Sequence, residues 1–215
     1  MVNKIPNFLD NPIDVQLYRL IDIMTPILNK YNLTPNHITG VSLVFGVSAS
    51  YFLYYDKYFL SALTWFLAYY FDCVDGKLAR QYDMVTKFGD YFDHSSDTFK
   101  MILLIYIMYL KLKGKRMSKL LILIFALIVI NLMLVGSQFG CQEKITKDIK
   151  KNNKKNNKKD NEEEEESETL AFTERLIITD CYTQMNYTKY FGSGTVIVAI
   201  SLLLLFWKEI TKSKW

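Results

Sequence analysis

The sequence predicts an all-α integral membrane protein, a bundle of about six transmembrane helices preceded by an amphipathic N-terminal helix lying in the membrane interface. Half of the 215 residues are hydrophobic, yet the chain holds only nine Gly and four Pro. The charges are segregated, with none in 38–55, 120–141 or 190–207. A bilayer core about 30 Å thick takes about 20 apolar residues to cross at 1.5 Å each. Three such stretches in so short a chain indicate a polytopic protein. The same composition excludes global disorder. A disulfide scaffold is excluded by three widely spaced cysteines, Cys73, Cys141 and Cys181. The net charge is only +4, and the Lys-rich stretch runs directly into a Glu run. A nucleic-acid surface is thereby excluded too.

Residues 1–37 form the expected N-terminal interfacial segment. Met1–Asn11 carries a Lys, an Asp and an early Pro, with no apolar run before a small-residue cleavage site. Residues 12–30 follow with Ile13, Leu17, Leu20, Ile21, Met24, Ile27 and Leu28 at helical spacing. Asp14, Arg19 and Asp22 occupy other faces, and Pro26 is placed to bend the helix. Beside a membrane-spanning start this favours an interfacial helix over an ordinary core-facing one.

Residues 38–142 hold the first four spans. Thr34 as an N-cap and Pro35 at the first helical position start span one. Tyr58–Phe71 is apolar but too short to cross, so its helix must continue through Asp72, Asp75 and Arg80. Span three is the mirror image. Met101–Leu110 is apolar, and the helix must begin near Gly89 and carry Asp93 and Asp97. The connection 81–88 then brings two polar helix halves to one end. Span four starts at Leu120. Residues 143–168 are a low-complexity Lys/Asn/Glu loop expected to be disordered. Residues 169–215 supply the C-terminal spans. Leu170–Tyr187 contains Glu174, Arg175 and Asp180, whereas Gly192–Trp207 is uncharged and closed by Lys208 and Lys212. The positive-inside count is divided. Lys77, Arg80 and Lys87 favour a cytoplasmic site, the expectation adopted, while Lys111, Lys113, Lys115, Arg116 and Lys119 vote the other way.

The aspartates carry the chemistry. A charged group inside a span costs roughly 2.5–3.5 kcal/mol on insertion scales, so four demand a reason. Asp72 and Asp75 are three apart and Asp93 and Asp97 four apart, so each pair shares a helix face. Two adjacent helices can aim all four at one point, and such a cluster needs a cation among it. An all-oxygen donor set suits Mg²⁺ or Mn²⁺ better than zinc. His94 and Cys73 point off these faces and are left out of the ligand set. Gly76 and Ala79 offer close approach, and Arg80 offers a fork for phosphate oxygens. Together these groups describe a site for a pyrophosphate or phosphodiester, in which two metal ions activate phosphorus and steady the leaving phosphate. Helix caps and boundary ion pairs account for one such Asp, not for four.

The spacing Asp72-x2-Asp75-Gly76-x2-Ala79-Arg80-x8-Gly89-x3-Asp93-x3-Asp97 matches, without departure, the signature of the CDP-alcohol phosphatidyltransferases (class I), and the chain resembles that family over roughly 12–140. Pro35-Asn36-x-Ile38-Thr39 resembles the family's element before span one. The resemblance implies a transferase of phospholipid synthesis. A CDP-linked alcohol gives up its phosphoalcohol to a second hydroxyl, and CMP leaves. It further implies that Asp72, Asp75, Asp93 and Asp97 hold two Mg²⁺ or Mn²⁺ ions, with Asp97 also the general base. Gly76, Ala79 and Gly89 would pass the nucleotide closely, and Arg80 and Thr86 would contact its phosphates. Pro35, Asn36, Ile38 and Thr39 would enclose the cytidine. Membrane lipids are the expected surroundings and a homodimer the expected assembly.

The motif leaves the alcohols open. Phe92-Asp93-His94 before the last aspartate resembles the aminoalcohol branch, which passes CDP-choline or CDP-ethanolamine to diacylglycerol. The alternative is transfer from CDP-diacylglycerol to a soluble alcohol of the inositol, glycerol phosphate or serine type. An acceptor phosphate there would call on Lys77 or Lys87, each equally readable as a solvated loop lysine. A non-catalytic homologue or a cation carrier is the rival of another class. No motif residue is missing, as a dead homologue would require, and the polar groups cluster at one end, where a carrier needs them throughout.

Overall fold

The computed structural model describes residues 9–113 and 180–212, with scattered helical positions between 122 and 144. The described residues form helices only: α1 (Pro12–Lys30), α2 (Pro35–Tyr54), α3 (Tyr58–Gln81), α4 (Lys87–Leu112), α5 (Cys181–Thr188), α6 (Ser193–Leu205) and α7 (Trp207–Lys212), with a 3₁₀ turn at Lys189–Phe191. The polar halves of α3 and α4 are helical as the span-length argument requires. At 24 and 26 residues these helices run about 36 and 39 Å. Most of the 143–168 insert, together with Glu174 and Arg175, lies outside the described residues.

The chain divides into two compact units, one drawn from 16–127 and 197–215, the other from 3–15 and 128–196. In the first unit α2 packs along both α3 and α4. Its inward face is small and polar, with Ser42, Gly46, Ala49 and Ser50 buried. Small side chains let helix backbones approach, and their hydroxyls bond across the gap. Thus Ser42 Oγ donates to the Ala68 carbonyl and Ser61 Oγ to that of Ala49, both at 2.8 Å, while Phe45 stacks on Phe71 at 5.3 Å. The outward faces are apolar: Val44, Tyr51, Phe59, Leu63, Ile102, Ile105 and Tyr109 are all exposed. So extensive an exposed apolar surface is foreign to soluble monomers.

Three left-handed Asn or Asp residues end α1, α2 and α3: Asn32 (φ 54°), Asp56 (φ 60°) and Asp83 (φ 52°). Beside each, an amide bonds back five residues, Leu33 to Leu28, Lys57 to Phe52 and Met84 to Ala79. These are Schellman closures with an Asx residue where glycine is commonest. The next helix starts at once. Thr34 caps α2, with the His37 ring accepting its amide at 3.2 Å, and Thr86 caps α4 by accepting from Gly89 N–H at 3.0 Å.

Along α1 the apolar periodicity divides between two faces. Leu17, Ile21, Thr25 and Leu28 are buried, while Leu20, Ile23 and Ile27 are each more than half exposed. The inward face is tied to α3. Thr25 Oγ1 donates to Gln81 (2.9 Å), and Lys77 Nζ meets Asp22 Oδ1 at 2.5 Å beside the Tyr18 ring. Lys77 is therefore neither a solvated lysine nor an anion hook, because it is buried and pins α1 to α3.

In the second unit Leu9, Cys141, Cys181 and Met185 form a small core, and no disulfide involves Cys73, Cys141 or Cys181. Asn11 donates to the Lys189 carbonyl and to Thr195 Oγ1, both at 2.8 Å. Of the stretch Leu170–Tyr187, residues 170–179 lie outside the described residues, and Asp180, with an extended backbone (ψ 133°), caps α5. Among the described residues, Pro35–Tyr54 and Cys181–Leu205 are long and apolar enough to cross a membrane. The Asp-bearing α3 and α4 are long enough, but their polar halves dilute them.

Candidate active site

Asp72 comes from α3, and Asp93 and Asp97 come from α4. One carboxylate oxygen of each lies within 4.8 Å of the others. The helical spacing works as expected, since Asp93 and Asp97 sit one turn apart and face Asp72 across the helix pair. Asp75, the fourth expected member, stands outside this trio. It is buried, its Oδ2 accepts a 2.6 Å hydrogen bond from Thr39 Oγ1, and it lines the adjoining cleft.

That cleft, of about 260 Å³, is lined by Pro35, Asn36 and Thr39 of α2, by Asp75, Gly76, Ala79 and Arg80 of α3, and by Thr86, Gly89 and Asp93 from the start of α4. Ten of the thirteen residues nominated from the sequence thus meet on one surface. Asp72 and Asp97 belong to the carboxylate cluster rather than the lining, and Ile38 is buried in the helix interface. Met84, Val85 and Asp90 also line the cleft and had no motif to announce them. Of these, Val85 is exposed.

Two glycines act here through absent side chains. A Cβ on Gly89 would come within 3.0 Å of Asn36 Oδ1 and Thr86 Oγ1, so this glycine lets α4 start against α2. A Cβ on Gly76 would stand 3.2 Å from an Arg80 guanidinium nitrogen. Gly76 therefore lets the arginine fold back along α3. Arg80 Nε and Asp93 Oδ1 are buried and lack a hydrogen-bond partner within the protein. A buried carboxylate oxygen with no donor is costly unless something else meets it. All-oxygen donors, three converging carboxylates and that orphaned oxygen fit a hard divalent cation, Mg²⁺ or Mn²⁺.

Clustered aspartates need a cation among them, and a metal ion is not the sole source. Lys100 supplies one from the chain. Its Nζ lies 2.6 Å from Asp97 Oδ1 and 3.2 Å from Asp72 Oδ1. The signal was present, because Lys100 falls three residues after Asp97 and seven after Asp93, on the same helical face. Next to the apolar run it passes for a boundary lysine. His94 stays out of the cluster, largely exposed, 3.7 Å from Asp93.

A family profile described as CDP-alcohol phosphatidyltransferase matches residues 32–212. An uncharacterized protein of Aquifex aeolicus (strain VF5) is 36% identical over 81 residues, which cover 36% of this chain and 41% of that protein. The chain thus spans less than half the length of that relative. No solved structure matches.

Proposed function

This chain belongs to the CDP-alcohol phosphatidyltransferase family, and from that premise we propose that it catalyses metal-dependent transfer of a phosphoalcohol from its CDP ester to an acceptor hydroxyl in phospholipid synthesis. The observation that carries the reading is the convergence of Asp72, Asp93 and Asp97 beside a cleft holding Arg80. Asp72, Asp93 and Asp97, with Asp75 at the cleft edge, would hold Mg²⁺ or Mn²⁺, expected as a pair. When bound, the metal neutralises the pyrophosphate and acidifies the attacking hydroxyl.

The chain's own groups do the rest. Arg80, folded over Gly76, presents fixed donors to phosphate oxygens. Thr39 fixes the rotamer of Asp75 with its only hydroxyl proton. Pro35, Asn36, Gly76, Ala79 and Gly89 form a close wall for the nucleotide, and the Thr86 hydroxyl proton is free to meet a phosphate while its oxygen caps α4. Asp97, nearly half exposed, takes the acceptor's proton. The acceptor oxygen bonds to the phosphorus carrying the donor alcohol, the bond from that phosphorus to the bridging oxygen breaks, and CMP leaves.

For the substrates we favour the aminoalcohol type, CDP-choline or CDP-ethanolamine with diacylglycerol. Two observations support it: Phe92-Asp93-His94 in the motif, and the commitment of Lys77 to Asp22, which removes one of the two cations available to an acceptor phosphate. Transfer from CDP-diacylglycerol to a soluble alcohol is the alternative. Apolar outward faces of α2–α4 and the Leu20, Ile23 and Ile27 face of α1 support a multi-pass bundle of about six spans with α1 in the interface. A cytoplasmic site and a homodimer complete the proposal.

The test is CMP release by the detergent-solubilised chain with Mg²⁺ or Mn²⁺. One reaction offers CDP-choline or CDP-ethanolamine with diacylglycerol, the other CDP-diacylglycerol with soluble alcohols, and Asp97→Asn is the control in both. CMP from one donor, absent in the variant, establishes the branch. No CMP from either donor with folded protein overturns the proposal.

A further inference from the structure

We propose that Lys100 is a resident counter-ion of the carboxylate cluster, holding Asp72 and Asp97 together across α3 and α4 before any divalent ion binds and thereby weakening that ion's binding. The inference rests on the metal-site reading above. Lys100 is buried at 5% exposure. An ammonium has three protons, and three acceptors surround this one: Asp97 Oδ1 at 2.6 Å, Asp72 Oδ1 at 3.2 Å and Ser42 Oγ at 2.7 Å. The serine is oriented for the task. Its proton goes to the Ala68 carbonyl, which turns a lone pair toward Lys100.

The path of the side chain is built as well. On Gly46, one turn after Ser42, a Cβ would stand 2.5 Å from both Lys100 Cγ and Cδ. The aliphatic stem thus crosses bare α2 backbone to reach the cluster. Three helices contribute to one ammonium, so it is a fixed part of the site rather than a snorkelling surface lysine. Three carboxylates with one ammonium carry a net charge of −2, which divalent ions offset. Without Lys100 the charge is −3. The cluster would then repel itself more strongly when metal-free and attract a cation more strongly.

Bound Mn²⁺ is counted on the full-length, detergent-solubilised chain by loss of the free-ion EPR signal, and thermal unfolding is followed in EDTA and in saturating Mn²⁺. For Lys100→Met the expected results are Mn²⁺ affinity raised about tenfold or more and a Tm loss larger in EDTA than in Mn²⁺. Gly46→Ala displaces the stem while keeping every charge, so it shifts both readouts the same way and serves if Lys100→Met does not fold. Unchanged Mn²⁺ affinity with equal Tm losses in both buffers makes Lys100 a packing residue and overturns the inference alone. Absence of Mn²⁺ binding in the unmodified chain is read before any variant. It overturns the metal-site reading and this inference with it.

Discussion

Thr39→Val isolates one hydroxyl at the edge of the proposed metal site. The swap nearly preserves shape and replaces Oγ1 by a methyl. Thr39 Oγ1 is 2.6 Å from Asp75 Oδ2 and 3.2 Å from the Pro35 carbonyl, and its single proton serves the shorter contact. Asp75 is 3% exposed, so water does not readily replace the lost donor. A hydrogen bond to a buried carboxylate is worth about 1.5–3 kcal/mol, or about ten- to hundredfold in an equilibrium or rate. The assay is CMP release against Mg²⁺ concentration. Thr39→Val is expected to lower kcat/KM ten- to hundredfold, while Thr39→Ser, which keeps the hydroxyl, stays within about threefold. A Thr39→Val enzyme as active as the parent would refute the argument, as would a serine variant as impaired as the valine one.

Two further predictions concern the scaffold. Asp22→Asn strands the buried Lys77 ammonium and is expected to cost about 2–4 kcal/mol, seen as a lowered Tm in detergent. Lys77→Met leaves only the partly exposed Asp22 unpaired and costs less, so the reverse order would show that the pair does not pin α1. Asp83→Gly keeps the left-handed closure of α3 and removes its Cβ penalty, giving up to about 1 kcal/mol of stabilisation. A lowered Tm would mean that the Asp83 side chain has a role of its own.

What the sequence made legible was whatever depended on short spacing. The start of α2 at Pro35, the bounds of α1 and the helical continuation through Asp72–Arg80 all follow from caps, periodicity and the length a span needs. The convergence of Asp72 with Asp93 and Asp97 was legible for the same reason, since each pair fixes its own helix face. Partnerships between residues far apart along the chain were not. Ser42 meets Lys100 across 58 positions, and Asp72 meets it across 28. Lys77 meets Asp22 across a helix boundary. A lysine at the edge of an apolar run has the same local pattern whether it faces headgroups or carboxylates, and only the neighbouring helix decides. Gly46 was silent too, because its meaning lies in a side chain that crosses it.

The brief links between successive helices also bear on the order in which the protein forms. Among the described residues, those lining the cleft or contacting the cluster fall between Pro35 and Lys100. The links after α1, α2 and α3 are Tyr31–Thr34, Tyr55–Lys57 and Tyr82–Thr86. Such connections keep contact order low, and the entropy of closing each loop is small. As synthesis proceeds from the N-terminus, the chain holds all the acidic residues of the site and their lysine once α4 has emerged, well before the low-complexity stretch is made. On the multi-pass reading proposed above, the aspartates would then enter the bilayer together with Lys100 rather than one by one. Insertions downstream, such as the Lys/Asn/Glu run, arrive after the chemistry has been assembled and are free to vary without disturbing it.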